Sequence, residues 1–422
     1  MKESIVFTII TNIISIFVLI VLGKNYLFLI LAPWHSVKEK IRLIKSSSQR
    51  KKRGYEEVYS PKISVIVPAW NEEVGILRTV RSVLYNGYSN IQVVIINDGS
   101  TDSSDTIIKG FIKKLAKSDY ELSRKITYKY KNKGGKGAAL NTGISLAAGE
   151  IVVTVDADSV LKKGSLMNLV KYYRDEDIMA VVGNVQVVNT STLLGLAQHL
   201  EYYLGFYNKR AHAVLGAEYI FGGACASFRR EIFDKVGVFD TKNKTEDIEM
   251  SMRLRYFGYK CTYAEDVICY TEGAADLNGL VKQRVRWKKG RIDTFRKYRS
   301  MFLSTEDYHN FYLAFFVLPF SALTEIQLLF EPIAITILLI YSFVTLEFVS
   351  IGIGIIFIIF TYIITALFSN GKIRPGLILL FPFTWPLFYF LDWIEFMALF
   401  KSLRMYVTKE EVTWQAWQRQ GI

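Results

Sequence analysis

Between Glu347 and Lys372 the chain runs through 24 consecutive uncharged residues dominated by Ile and Phe. A helix of about 20 such residues spans the hydrocarbon core of a bilayer, and this run restricts the fold more than any other feature. A second uncharged run, Ile5 to Leu22, is followed by Lys24 and further apolar residues. No small-residue cleavage site follows it, so it reads as an anchor rather than a signal peptide. The whole chain of 422 residues has a mean hydropathy of +0.21 yet a net charge of +13. Those values conflict in one evenly mixed domain, and they are reconciled because apolar and charged residues are segregated.

The basic residues sit beside the apolar runs. Lys38, Lys40, Arg42, Lys45 and Arg50 to Arg53 follow the first one. By the positive-inside rule they hold the following segment in the cytoplasm. Interleaved aromatics of a nucleic-acid surface are lacking, so nucleic acid is not expected as a partner. The cysteines Cys225, Cys261 and Cys269 are odd in number and form no C-x-x-C, which excludes a disulfide scaffold. Four scattered histidines offer no zinc spacing.

The organisation expected is an N-terminal transmembrane helix over 1–36, a basic linker over 37–60 and an α/β domain over 61–278. Interfacial helices follow over 279–310, then transmembrane helices over 311–400 and a cytoplasmic tail over 401–422. In the α/β stretch the short apolar runs Ile63–Val67, Val93–Ile96 and Ile151–Val155 alternate with helical segments, the rhythm of a parallel sheet. Four C-terminal spans are expected: two in Phe311–Leu346 with a break near Glu331-Pro332, the run after Glu347, and Leu377–Leu391. This count returns Lys401, Arg404 and Lys409 to the cytoplasm. Asp392 and Glu395 either line a water-filled path or sit at the interface.

Several motifs bear chemistry. The first strand runs into Ala69-Trp70-Asn71-Glu72 and the second into Asp98-Gly99-Ser100. Ligands of parallel sheets bind at such strand ends. Lys133-Gly134-Gly135-Lys136-Gly137 suggests a diphosphate loop, but Gly137 stands where a P-loop needs Ser or Thr. The strand Ile151–Val155 delivers Asp156-Ala157-Asp158, two carboxylates that converge if a turn follows and suit Mg²⁺ or Mn²⁺. Thr245-Glu246-Asp247 recurs as Thr305-Glu306-Asp307. The second copy precedes an apolar run, where Ser304 or Thr305 is expected to cap a helix, so the first is the functional candidate. Gln283-Arg284-Val285-Arg286-Trp287 lies in a basic stretch just before the apolar region and doubles as an interfacial helix.

Taken in order, Asp98-Gly99-Ser100, Asp156-x-Asp158, Thr245-Glu246-Asp247 and Gln283-x-x-Arg286-Trp287, framed by apolar spans, resemble the membrane-embedded processive glycosyltransferases of family 2. That group includes cellulose, chitin, hyaluronan and poly-N-acetylglucosamine synthases. The resemblance covers Pro61 to Gly290, and Asn132 to Asn141 resembles the family's Asn-x-Gly-Lys-x-x-Ala-Leu-Asn element with one extra glycine. The spacing Leu280 to Gly290 and Thr413-Trp414 look closest to the bacterial poly-N-acetylglucosamine synthases. Phe221-Gly222-Gly223-Ala224-Cys225 departs from the Phe-x-Gly-Ser of cellulose synthases.

The resemblance implies a cytoplasmic GT-A domain with a mainly parallel sheet, joined to an α-helical transmembrane region in the cell membrane. It implies polymerisation of a sugar from a UDP-sugar, first UDP-N-acetylglucosamine, with export of the chain. Asp98 would recognise the uracil. Ala69, Glu72, Lys136, Asp156, Gln283 and Arg286 would line the donor side, and Asp158 would also hold Mg²⁺ or Mn²⁺. Asp247 would be the general base; Gly223, Glu246 and Trp287 would meet the acceptor glycan. Partners implied are the donor, the growing polysaccharide and the bilayer, with room for an accessory membrane subunit. Non-processive transfer to a lipid acceptor, and a cellulose- or hyaluronan-type synthase using UDP-glucose or UDP-glucuronate, are the competing readings.

Overall fold

The computed structural model describes residues 20, 22–54, 59–368, 384–408 and 410. All but residues 20 and 22 of the expected anchor Ile5–Leu22, the start of the Leu377–Leu391 span and most of the tail lie outside the described residues.

The domain is built on an eight-stranded sheet in the order β3-β2-β1-β4-β7-β6-β8-β5. Its strands are β1 Ile63–Ala69, β2 Ile91–Asp98, β3 Ile126–Lys131, β4 Ile151–Thr154, β5 Val160–Leu161, β6 Ile178–Val187, β7 Ala226–Arg229 and β8 Lys260–Thr271. The β3-β2-β1-β4 half is parallel. The helices α3 Ile76–Leu84, α4 Ser104–Ser118, α5 Tyr120–Ser123, α6 Lys136–Leu146 and α7 Ser165–Tyr172 connect the strands. Covered strands read as unbroken apolar runs, and β1 is buried along nearly its whole length.

The sheet is expected to be mainly parallel, and the other half is where its antiparallel pairs lie. β7 runs antiparallel to both β4 and β6, β8 returns parallel to β6, and β5 closes the edge antiparallel. A strand of four residues, Ala-Ser-Phe-Arg, carries too little pattern to announce its direction. Parallel pairing leaves the carboxyl ends of β1, β2 and β4 on one edge, with Ala69 paired to Asn97 and Ile66 to Thr154. Two apolar layers flank the sheet, one around Val65, Val93 and Val153 and the other around Ile66, Val152 and Phe228.

The helices α8 Leu193–Val214, α9 Ile232–Val236, α10 Glu246–Tyr256 and α11 Leu277–Lys297 complete this unit. Before it come α1 Leu22–Leu31 and α2 Trp34–Lys52. After it a π-helical turn, Leu313–Val317, leads into α12 Leu318–Leu328, α13 Glu331–Thr345, α14 Val349–Phe368 and α15 Thr384–Thr408. Asn310 caps this region by accepting from the Leu313 N–H at 2.8 Å. Ser304 and Thr305, expected as the cap, lie in the preceding loop, where Ser304 hydrogen-bonds His309.

Among the described residues, one helix, Ile351–Phe368, is long and apolar enough to cross a membrane. The stretch expected as two spans forms one bent pair, Leu313–Leu328 and Glu331–Thr345, turning by 49° just before Glu331-Pro332. Pro332 lacks the N–H that would continue the first helix. α15 runs past residue 400 to Thr408 and packs Ala398 and Met405 against Val285 of α11.

Candidate active site

The loops at the β1, β2 and β4 ends are stitched together by side chains. Asn71, with φ 56°, gives its N–H to Ser100 and accepts from the Thr101 N–H at 2.8 Å. The short polar side chain of Asn tolerates that left-handed conformation. Asp98, buried at the end of β2, accepts from the Gly134 N–H at 3.0 Å, the Gly135 N–H at 2.7 Å and Lys131 Nζ at 2.6 Å. The carboxylate thus moulds the glycine loop as well as lining the cavity. Gly135 has φ 89° and immediately precedes α6. Lys133 stacks its ammonium 3.4 Å from the Trp70 ring centroid.

α6 opens on Lys136, whose Nζ lies 2.5 Å from Asp156 and 3.8 Å from Glu246. Burial alone would lower its pKa, but Asp156, Glu246 and Asp247 outweigh burial and raise it. Asp156 and Asp158 follow β4 with Ala157 turned inward. The turn that convergence required is present: the Ser159 N–H donates to Asp156 O at 3.0 Å. Ser159 Oγ also bridges Asp158, at 3.1 Å, and Thr271 at the end of β8.

Glu246 and Asp247 form the first turn of α10. Asp247 Oδ2 accepts from the Gly223 N–H at 2.8 Å and Oδ1 from the Ile248 N–H at 2.9 Å. A Cβ on Gly223 would stand 2.7 Å from Lys136 Nζ and 3.2 Å from Asp247 Oδ2. A side chain at this position would therefore displace the Lys136 ammonium from beside Asp247. Glu246 is 5% exposed; burial pushes its carboxyl up to about 7, aided by Asp247 and opposed by Lys136.

α11, capped by Asp276 on the Gly279 N–H at 2.7 Å, presents Gln283, Arg286 and Trp287 to the same cavity. Gly290 brings α11 against Thr245; a Cβ there would fall 2.0 Å from Thr245 Oγ1. The Arg284 guanidinium lies 4.6 Å from the centroid of Trp287 and makes two 2.6 Å contacts with Glu201.

All the sequence-selected residues, Ala69, Glu72, Asp98, Lys136, Asp156, Asp158, Gly223, Glu246, Asp247, Gln283, Arg286 and Trp287, line one cavity of about 670 Å³. Glu306 and Asp307 are exposed and do not line it. The cavity continues past Trp287 to Glu325, Leu328, Glu331, Asp392 and Glu395 of the apolar helices. Sequence reasoning did not anticipate what joins the two parts. Arg284 pairs with Glu395 at 2.8 Å, Lys288 with Glu395 at 2.9 Å and Glu325 at 2.8 Å, and Arg291 with Glu325 at 2.5 Å. Residues 284, 288 and 291 fall on one face of a helix, a spacing visible in the sequence. Glu395 is thus held by α11, and it lines the cavity together with Asp392.

The described residues contain no cluster of three His, Cys, Asp or Glu side chains able to hold a metal. Asp156 and Asp158 supply hard oxygen donors. A Mg²⁺ or Mn²⁺ ion takes one or two carboxylates and fills its other positions with substrate phosphates and water, so this donor set fits such an ion.

A family model described as glycosyl transferase family 2 matches residues 64–237, and one described as glycosyl transferase family group 2 matches residues 151–370. A poly-beta-1,6-N-acetyl-D-glucosamine synthase of Staphylococcus epidermidis is 34% identical over 233 residues, 54% of this chain and 54% of that protein. One from Staphylococcus aureus is 32% identical over 231 residues, with the same coverage of 54% on each side. The chain thus matches about half the length of these relatives. Among solved structures, the mannosyltransferase PcManGT from Pyrobaculum calidifontis, in complex with GDP-Man and Mn2+, superposes with a TM-score of 0.57. That likeness covers 91% of this chain and 100% of the other at 19% identity, and it shows a shared GT-A-like fold.

Proposed function

Because the chain belongs to glycosyl transferase family group 2, matched over residues 151–370, we propose that it is an inverting, processive β-glycosyltransferase. It polymerises a sugar from a UDP-sugar and passes the product into its own membrane region. N-acetylglucosamine is the first sugar, in keeping with the staphylococcal relatives. The observation that carries the reading is the single cavity running from Asp156 and Asp158, past Asp247 and Trp287, to Glu325 and Asp392 between the apolar helices.

Asp247 takes the proton of the acceptor hydroxyl as that oxygen attacks the anomeric carbon. Its two backbone N–H contacts fix its orientation, which a general base requires before its basicity matters. One displacement at the anomeric carbon inverts configuration, so an α-linked donor yields a β-linked product. Lys136 neutralises the carboxylates that would otherwise repel the donor's diphosphate. Asp158 would hold the divalent cation, beside Asp156 with its Lys136 partner. The cation would supply positive charge to the departing diphosphate, and Arg286 adds a second charge to that side. Trp287 offers an apolar face on which an acceptor pyranose stacks, and Asp98 with the glycine loop receives the uracil.

The membrane reading rests on α13 and α14. Ile337, Phe343, Val344, Ile353, Ile356 and Leu367 are large, apolar and exposed, and an exposed apolar surface of that extent marks a lipid or protein contact. The catalytic domain then lies in the cytoplasm, beside the basic residues that follow the first apolar run.

The test incubates membranes containing the protein with radiolabelled UDP-N-acetylglucosamine, UDP-glucose or UDP-glucuronate plus Mg²⁺ or Mn²⁺, and follows product size, linkage and anomeric configuration. A β-linked polymer supports the reading. A chloroform-soluble product carrying one sugar establishes lipid glycosylation instead, and an α-linked product removes inversion.

A further inference from the structure

α2 does more than tether the domain. Its inner face is bound to the α/β unit: His35 is fully buried and reaches Tyr263 O at 3.1 Å, Arg42 pairs with Asp175 at 3.3 Å, and Arg50 lies 3.6 Å from Glu176. The rotational setting of the helix is therefore fixed, and with it the face turned outward. That outer face carries Trp34, Val37, Ile41 and Ile44, exposed by 60%, 48%, 62% and 71%. At about 3.6 residues per turn these four fall within about a quarter of the helix circumference. Exposed lysines border the stripe on both sides, Lys40 and Lys51 along one edge and Lys45 and Lys52 along the other.

An apolar stripe with an aromatic end and flanking lysines matches a helix lying in a lipid–water interface. Its aliphatic residues enter the upper acyl region, and the lysines extend their stems along the stripe to bring ammonium groups to the headgroups. The neighbouring chain agrees. α1 ends at Leu31, three residues before Trp34, and its Phe28 and Leu29, with Ala32 just after it, pack near Ile364 of α14, the helix suited to cross a membrane. α2 thus leaves an apolar pair of helices at the level where headgroups would lie. A protein partner would have to match four apolar residues ringed by cations, whereas an anionic leaflet supplies both complements at once.

We infer that the outer face of α2 is a lipid-binding surface, with Trp34, Val37, Ile41 and Ile44 immersed in the cytoplasmic leaflet and Lys40, Lys45, Lys51 and Lys52 bound to anionic headgroups. This rests on the reading that α14 spans the membrane, and it adds a second attachment that fixes the tilt of the catalytic domain above the bilayer. Both α2 and the strand β8 that it grips through His35 are rigid elements, so the attachment bears directly on where the mouth of the cavity faces.

The test uses the full chain in lipid nanodiscs of phosphatidylcholine alone or in equal parts with phosphatidylglycerol. The native cysteines are buried, so a polarity-sensitive maleimide dye reports on an introduced one. Labels are placed by Ile41→Cys, by Ile356→Cys in α14 and by Lys113→Cys on the exposed side of α4. The Ile41 label is expected to be quenched by nitroxide lipids and shielded from aqueous iodide, with more shielding when phosphatidylglycerol is present. Lys40→Glu with Lys45→Glu is expected to abolish that lipid dependence, since each lysine near an anionic leaflet is worth about a five-fold change in partition. If the Ile41 label is as open to iodide as the Lys113 label while the Ile356 label is lipid-protected, the inference is wrong and the membrane reading stands. If the Ile356 label is also open to iodide, the membrane reading fails with it. Lipid dependence that survives the double lysine variant overturns the electrostatic part.

Discussion

Glu246 gives the account a quantity to test. In the folded chain its carboxyl is pushed up from 4.5 to about 7, mainly by burial, with Asp247 adding to the rise and Lys136 opposing it. Below the unfolded value both states hold the proton, and the group is neutral to stability. Between 4.5 and about 7 the folded state keeps a proton that the unfolded chain has released. Stability therefore falls as pH rises through this window and levels off above it. The full shift corresponds to about 3 kcal/mol, of which about 2.5 kcal/mol falls between about pH 5 and about pH 8. Glu246→Gln keeps the shape of the protonated acid and removes the titration. Relative to the unsubstituted protein, this variant is expected to gain several degrees of melting temperature in nanodiscs at the higher pH and little at the lower. A variant equally shifted at both pH values would refute the buried-acid reasoning.

Three further outcomes follow from the geometry. Asp247→Asn is expected to lower turnover by about a thousand-fold, within the range for loss of a general base, while calorimetry finds UDP bound within a few-fold; unchanged turnover would remove the assignment. Gly290→Ala drives a methyl into Thr245 Oγ1, an overpacking cost of about 1–3 kcal/mol, and is expected to cut turnover while leaving the circular dichroism of the sheet intact. Glu395→Gln strips a carboxylate from Arg284 and Lys288. Arg284 keeps Glu201 and Lys288 keeps Glu325, so the cost falls below that of a buried charge left unpaired, about 3–5 kcal/mol, and the expected readout is a lower melting temperature with shorter polymer, with Glu395→Asp recovering part of both.

Much of the site could be read in the sequence because it follows local rules. An apolar strand ending in Asp156-x-Asp158 needed only the Ser159 turn to bring both carboxylates to the cavity. Of the two Thr-Glu-Asp tripeptides, the one inside the α/β stretch opens α10 with Asp247 on the cavity. Other parts depend on partners distant in sequence. Nothing near Asp98 announces that its carboxylate is filled by the Gly134 and Gly135 amides, 36 and 37 residues on. The reversal of β7 is decided by its contacts with β4 and β6, not by its four residues. The ladder of Arg284, Lys288 and Arg291 was visible as a helical spacing. Its carboxylate partners Glu201, Glu325 and Glu395 come from three other helices, and only packing brings them together.

On the proposed reading, that ladder also joins chemistry to export. The helix that carries Gln283, Arg286 and Trp287 is gripped through its opposite charges by α12 and α15, which ties the domain side of the cavity to the apolar helices. Beyond Trp287 the cavity continues toward Glu325 and Asp392, the route that the proposed function gives the product.

The central claim is polymer synthesis from one donor by this chain. The most direct measurement reconstitutes the purified protein in nanodiscs with radiolabelled UDP-N-acetylglucosamine and Mn²⁺, then sizes the labelled product by gel filtration with Asp247→Asn alongside. The account predicts label in a polymer far larger than a short oligosaccharide, absent from the variant. Label confined to single-sugar products, or equal amounts of polymer from the variant, would contradict it.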